Sequence, residues 1–96
     1  MVLLDALGTG LFGGGENESG LTALNLAQEK MEELRDKTYA NVVNESKAAV
    51  TGFTAFQREV VVTTPQSNLK QVSVNVYWYS KSNEANVGLV TYVSNV

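Results

Sequence analysis

The feature that most constrains the fold is a stretch in which every second residue is apolar. The apolar members are Val72, Val74, Val76 and Trp78, and the residues between them are Ser73, Asn75, Tyr77 and Tyr79. Because successive side chains of a β-strand point to opposite faces, this alternation predicts a strand with one apolar face. Segments 56–63 and 87–93 are also rich in β-branched residues and predict two further strands.

Earlier in the chain the spacing of apolar residues is helical. From about Ser19 they recur three or four positions apart, at Leu21, Leu24, Ala27, Met31 and Leu34. This spacing places them on one face of an α-helix over about 19–37. The other face is charged and consists of Glu29, Lys30, Glu32, Glu33, Asp36 and Lys37.

The connections between these elements indicate how they are arranged. Short polar segments at 65–68 and 80–84 link the predicted strands, and short links between consecutive strands favour an antiparallel meander. The apolar face of the sheet needs cover, and the helix is the other predicted element with an apolar stripe. We therefore expect an α+β fold in which one N-terminal amphipathic helix packs on a three-stranded antiparallel meander sheet over about 55–95.

The rest of the chain fits one domain. A chain of 96 residues has room for a single core, which we assign to 19–96. In that core Leu24, Ala27, Met31 and Leu34 should pack on Val72, Val74, Val76 and Trp78. Residues 38–54 predict a long connecting loop with a short helical turn near 47–50. The lead, 1–18, is glycine-rich and is expected to be flexible, either loose or marginally helical.

Composition excludes several classes of function. The chain contains no cysteine and no histidine, which removes thiolate nucleophiles, disulfides, the usual zinc ligands and the commonest general base. Its seven basic residues are dispersed and its net charge is −3, a poor match to nucleic acid. We expect no enzyme activity, catalytic residues, cofactor, resident metal, nucleic-acid partner or small-molecule substrate.

Three groups of residues are candidates for contacts. The acidic residues Glu29, Glu32 and Glu33 lie on the charged helix face, where they are either solvated surface or a site for basic partners. The tyrosines Tyr77, Tyr79 and Tyr92 alternate with the expected core and so point away from the helix, as a partner anchor or as ordinary strand surface. The predicted loop 80–86 offers the oxygen donors Asn83, Glu84 and Asn86, although a single carboxylate is too few for a tight calcium site.

The helix and strand motifs resemble one known family. The string from Ala23 to Arg35, with Leu26-Ala27-Gln28 followed by Lys30-Met31-Glu32-Glu33-Leu34, closely resembles the helix of V-type type IV minor pilins and of I-type minor pseudopilins of type II secretion. Phe56-Gln57-Arg58, the alternating valines up to Trp78 and the segment 87–92 follow in the same order as in that family. The resemblance covers roughly residues 21–94.

The resemblance implies a structural role. Family members assemble with other pilin or pseudopilin subunits in the bacterial cell envelope, and an apolar N-terminal helix holds them in the inner membrane beforehand. We accordingly expect a longer apolar segment upstream of Val2, with residues 1–18 as its remnant and linker. The alternative is an independent soluble protein- or peptide-binding module that uses the tyrosine-bearing face or the free edge of a strand.

Overall fold

A computed structural model describes residues 2–6, 10–11 and 17–95, which form one helix and an antiparallel sheet. The strands are β1 (Val2–Ala6), β2 (Gly10–Leu11), β3 (Glu45–Val50), β4 (Phe53–Gln66), β5 (Leu69–Ser80) and β6 (Asn83–Ser94). The helix α1 spans Asn17–Arg35, and a short 3₁₀ turn follows at Tyr39–Asn41. The predicted α+β class, with a helix preceding an antiparallel meander, is confirmed.

The sheet has more strands than the sequence pattern predicts. β3, β4, β5 and β6 form a meander in chain order, so its four long strands replace the three expected. β1 and β2 pair antiparallel with the other edge of β6, for example Leu4 opposite Tyr92 and Gly10 opposite Val87. The predicted conformation of the lead therefore differs from the structure at these two short strands, and most of its remaining residues lie outside the described ranges.

The expectation of a loop over 38–54 is wrong, because residues 45–50 form β3. This strand lies at the edge of the meander, and of its six residues only Val50 is buried. An edge strand with two solvated faces needs no apolar alternation, so the pattern that revealed β5 is absent here. The helical turn expected near 47–50 is likewise a strand, and the single short helical turn in this segment is at Tyr39–Asn41.

The core lies between α1 and one face of the sheet. Its strand side includes Val60, Val72, Val74, Val76, Trp78, Ala85, Val87 and Val93, all buried. On the helix side Ala27 and Leu34 are buried as predicted, and Leu24 and Met31 are partly buried against them. The predicted packing of helix on valine strand is therefore confirmed in its main contacts.

The helix is rotated relative to the predicted stripe. Leu21 is 59% exposed, whereas Ala23, Leu26 and even Lys30 are buried. The buried line starts at Gly20 and continues through Ala23, Ala27, Lys30 and Leu34, positions that repeat every three or four residues. The first residues of this buried line, Gly20 and Ala23, are small. Small side chains let a helix backbone pack close to a sheet, which explains why this line and not the predicted stripe faces the strands. Within the described residues, no helix is long and apolar enough to cross a membrane.

Candidate functional site

Lys30 ties the helix to the edge of the sheet. Its Nζ lies 2.6 Å from Oε2 of Glu33 on the same helix and 2.9 Å from Oε1 of Glu45 on β3. Lys30 is only 7% exposed, although its charge led us to expect it on the outer, solvent-exposed face of the helix. Lys30 lies between Ala27 and Leu34 in the buried line of α1, and this helical spacing is the signal that could have predicted its burial. A charged residue is buried at low cost only when it is paired, and two carboxylates pair this one.

The pairing shows in the pKa values of both partners. Burial of the ammonium acts to lower the pKa of Lys30, but its hydrogen bonds to Glu33 and Glu45 outweigh that effect and leave it raised. The hydrogen bond from Lys30 lowers the pKa of Glu33. Both groups therefore stay charged at neutral pH, and Glu33 is fixed by Lys30 while about half of its side chain remains exposed.

Arg58 makes a second tie between sheet and helix. Its Nη1 donates to the main-chain oxygen of Leu26 at 2.8 Å and to Oε1 of Glu29 at 3.1 Å. Arg58 comes from β4 and Leu26 from the middle of α1, so the bond crosses the helix–sheet interface. Of the three predicted acidic contact residues, Glu29 and Glu33 thus have partners within the fold. The third, Glu32, is strongly exposed and lies 3.9 Å from Arg35 one turn on.

Of the three tyrosines on the predicted face, Tyr77 is fixed by contacts within the sheet. The hydroxyl of Tyr77 and Nδ2 of Asn75 both donate to the same carboxylate oxygen of Glu59. Above the Tyr77 ring, 3.9 Å from its centroid, lies Nζ of Lys47, which also bonds Glu84 at 2.9 Å. Tyr77 is therefore part of a cross-strand polar network and is not available as an anchor.

The other two tyrosines lie on the same face of the sheet. Tyr79 is 69% exposed at the end of β5, and Tyr92 is half-buried opposite Gln71. Val61 on β4 adds exposed apolar surface to this face. Of the three predicted anchors, Tyr79 is the one whose ring is open to a partner.

Tyr77 is expected to ionise late in an alkaline titration. Burial, together with the hydrogen bond to the charged Glu59, raises the pKa of Tyr77 from 10.0 to about 12. Because the unfolded chain loses this proton first, stability should fall as the pH rises between those two values. Tyrosinate ultraviolet absorbance should show a late component that Tyr77→Phe removes and Tyr79→Phe leaves in place. Loss of that component in the Tyr79→Phe variant would contradict the assignment.

The predicted loop 80–86 is a tight hairpin and not an open oxygen-rich loop. Lys81 and Ser82 have φ values of 52° and 70°, which suits a two-residue turn matched to the twist of the strands. Asn83, Glu84 and Asn86 belong to β6, where neighbouring side chains point to opposite faces, and Glu84 is bonded to Lys47. Among the described residues, no group of three or more acidic side chains is placed to hold a metal ion.

Comparison with known proteins does not assign a role to these contacts. The chain matches no family model, no curated protein and no solved structure.

Proposed function

We propose that the chain is the globular part of a type IV pilin-like subunit, a minor pilin or a minor pseudopilin, that acts by assembly and not by catalysis. The observation that carries the proposal is that the residues responsible for the resemblance contact one another. Leu26 and Glu29 belong to the helix motif, and both accept hydrogen bonds from Arg58 of the strand motif. The two motifs are thus parts of one helix–sheet junction.

The exposed face of α1 is the proposed assembly surface. With Glu29 bonded to Arg58 and Glu33 to Lys30, the acidic row is held in fixed positions while much of it remains exposed. Fixed carboxylates are better suited to specific side contacts than mobile ones, because less side-chain entropy is lost on binding. Such contacts give specificity and correct register more than raw affinity. Basic residues on neighbouring subunits are the complementary partners.

The proposal extends to location and anchoring. In this account the subunit stays in the bacterial inner membrane through an apolar helix upstream of Val2 and then joins a pilus or a secretion pseudopilus. An apolar segment of about 20 residues is needed to span the bilayer, and helices of this kind pack tightly side by side. The globular domain would then supply the contacts that distinguish this subunit from its neighbours.

A second candidate function is an independent binding module. The observation that favours it is the pairing of Val2–Ala6 with β6, since a strand at this position replaces the expected end of a helix. The module would bind a partner through the sheet instead of through α1. The two candidates therefore differ in the surface that carries function.

The product of the intact gene, followed in its own host, tests the proposal. We expect it in the envelope fraction, and in sheared filaments or in complexes with pilin-like subunits. Charge reversal by Glu32→Lys should reduce its recovery with those subunits without lowering its melting temperature, because the ion pair of Glu32 with Arg35 is long and exposed to solvent. Thr63→Lys introduces the same lysine on the opposite side of the domain and is the control for the added side chain. A wild-type product that stays in the cytosol would contradict the proposal.

A further inference from the structure

The β4–β5 ladder opens into a fork at one end. Its last pair there is Gln57 with Tyr77, although β4 continues to Phe53 and β5 to Ser80. Continuing the same register would place Ala55 opposite Tyr79, but the two strands do not pair at this level. On its other side β4 changes register against β3 between Gln57 and Phe53, so residues 54–56 are left out of that ladder as well.

A cleft occupies the fork. Its volume is about 230 Å³, with Thr54, Ala55 and Gln57 on one side and Tyr77, Trp78 and Tyr79 on the other. In an antiparallel strand alternate residues direct both their N–H and their C=O to the same neighbour. At least one residue among 78–80 therefore directs its N–H and C=O toward the cleft. In a continuing ladder, β4 would form the hydrogen bonds with these groups. The chemistry that satisfies such groups is another extended main chain.

A buried side chain beside the cleft also lacks a partner. Trp78 is 3% exposed, yet no described residue accepts a hydrogen bond from its indole Nε1. The hydroxyl of Ser80, two residues further along β5, is also buried and has no hydrogen-bond partner among the described residues. Because a buried polar group without a partner destabilises the fold, an incoming carbonyl that accepts a hydrogen bond from Nε1 would recover part of that loss.

The rim supplies apolar contacts. Tyr79 lines the cleft, and its side chain is strongly exposed. Exposed aromatic rings beside a pocket are typical anchors in protein recognition. Glu84, which also lines the cleft, is bonded to Lys47, so the charge at the rim is largely balanced. The cleft thus favours an uncharged segment over an ionic one.

We propose that the fork between β4 and β5 binds an extended, uncharged peptide segment of another protein. The segment pairs with β5 beside residues 78–80, places a carbonyl at the Trp78 indole and packs against the exposed ring of Tyr79. This site is separate from the acidic face of α1, and its occupation does not depend on the assembly role.

The single tryptophan of the chain makes the proposal directly measurable. The probe is the peptide acetyl-Thr-Val-Thr-Val-Thr-amide, and the control is the same peptide N-methylated at all five residues, which has no main-chain N–H to donate along either edge of a strand. We expect the first peptide to shift the Trp78 emission and its indole N–H resonance in a saturable way. The N-methylated peptide should bind at least about tenfold more weakly, a difference of roughly 1.4 kcal/mol.

A reversible block tests the position of the site. Ala55→Cys places one thiol at the cleft in a chain that has no other cysteine. A bulky label attached to that thiol by a disulfide should fill the cleft and abolish binding, and reduction, which releases the label, should restore it. Ala55→Tyr, which fills the cleft without a label, should also abolish binding. Binding that persists in both variants, resonance shifts confined to the free edge of β3, or no saturable change with the parent chain would overturn the proposal.

Discussion

Replacing Val74 by Asp is expected to unfold most of the protein at room temperature. Val74 is fully buried in the middle of β5, between Val60 on β4 and Leu89 on β6. An aspartate there would place a charge among apolar side chains that offer it no partner. The cost should be several kcal/mol, comparable with the ~5–15 kcal/mol that holds a small domain together.

The neighbouring residue provides the control for this prediction. Ser73 lies one position earlier on the same strand and therefore faces away from the helix. Ser73→Asp should cost no more than about 1 kcal/mol, the range of strand propensity. Thermal and denaturant unfolding of both variants measures the difference. Equal losses would show that β5 does not have the assigned inner and outer faces.

The second large effect is expected at Lys30. Lys30→Glu would bring a third carboxylate against Glu33 and Glu45 in a place where the side chain is buried, and we expect a loss of about 3–5 kcal/mol. Lys30→Met keeps the length of the side chain and removes the charge. Removing one partner of a buried ion pair is costly mainly when the other charge is left buried, and the side chains of Glu33 and Glu45 are 51% and 35% exposed. This variant should therefore stay within about 1–2 kcal/mol of the parent.

The charge change itself is controlled at an exposed position. Lys81→Glu alters the net charge by the same amount in the turn between β5 and β6, where the side chain is exposed. Its free energy of unfolding should change by no more than about 0.5 kcal/mol. If Lys30→Glu and Lys81→Glu unfold at the same denaturant concentration, Lys30 does not lie in the helix–sheet interface.

The strong periodic patterns of the sequence were sufficient to predict the centre of the fold. Val72, Val74, Val76 and Trp78 alternate over a long run because β5 is a central strand with one covered face. The helix was equally visible, since its leucines repeat at helical spacing. These elements have a pattern because burial selects apolar residues on one face.

The missed features share a physical cause, which is that they do not depend on apolar residues. β3 is an edge strand held mainly by main-chain hydrogen bonds, and its polar side chains carry no alternation. The buried line of α1 begins with Gly20 and Ala23, which face the sheet because they are small and not because they are strongly hydrophobic. Lys30 completes that line through two carboxylates, one of them on a strand that the sequence pattern did not predict.

The candidate site was predictable only as a set of exposed residues. Sequence periodicity placed Tyr77 and Tyr79 on the outer face, but it carried no information that Glu59 fixes one of them and leaves the other exposed. The fork at residues 54–56 arises because β4 stops pairing with β5 beyond Gln57 and changes register against β3 beyond the same residue. Register depends on pairing partners that a single strand does not specify.

The proposed assembly role is tested most directly by site-specific photo-cross-linking in the living host. A photoreactive aromatic residue is placed in the intact gene product at position 32, on the acidic face of α1, and in a second strain at position 63, on the far side of the sheet. The account predicts that position 32 cross-links to pilin-like subunits of the cell envelope and that position 63 does so much less. Cross-links to such subunits at neither position, with the protein expressed and folded, would contradict it and leave the independent binding module in its place.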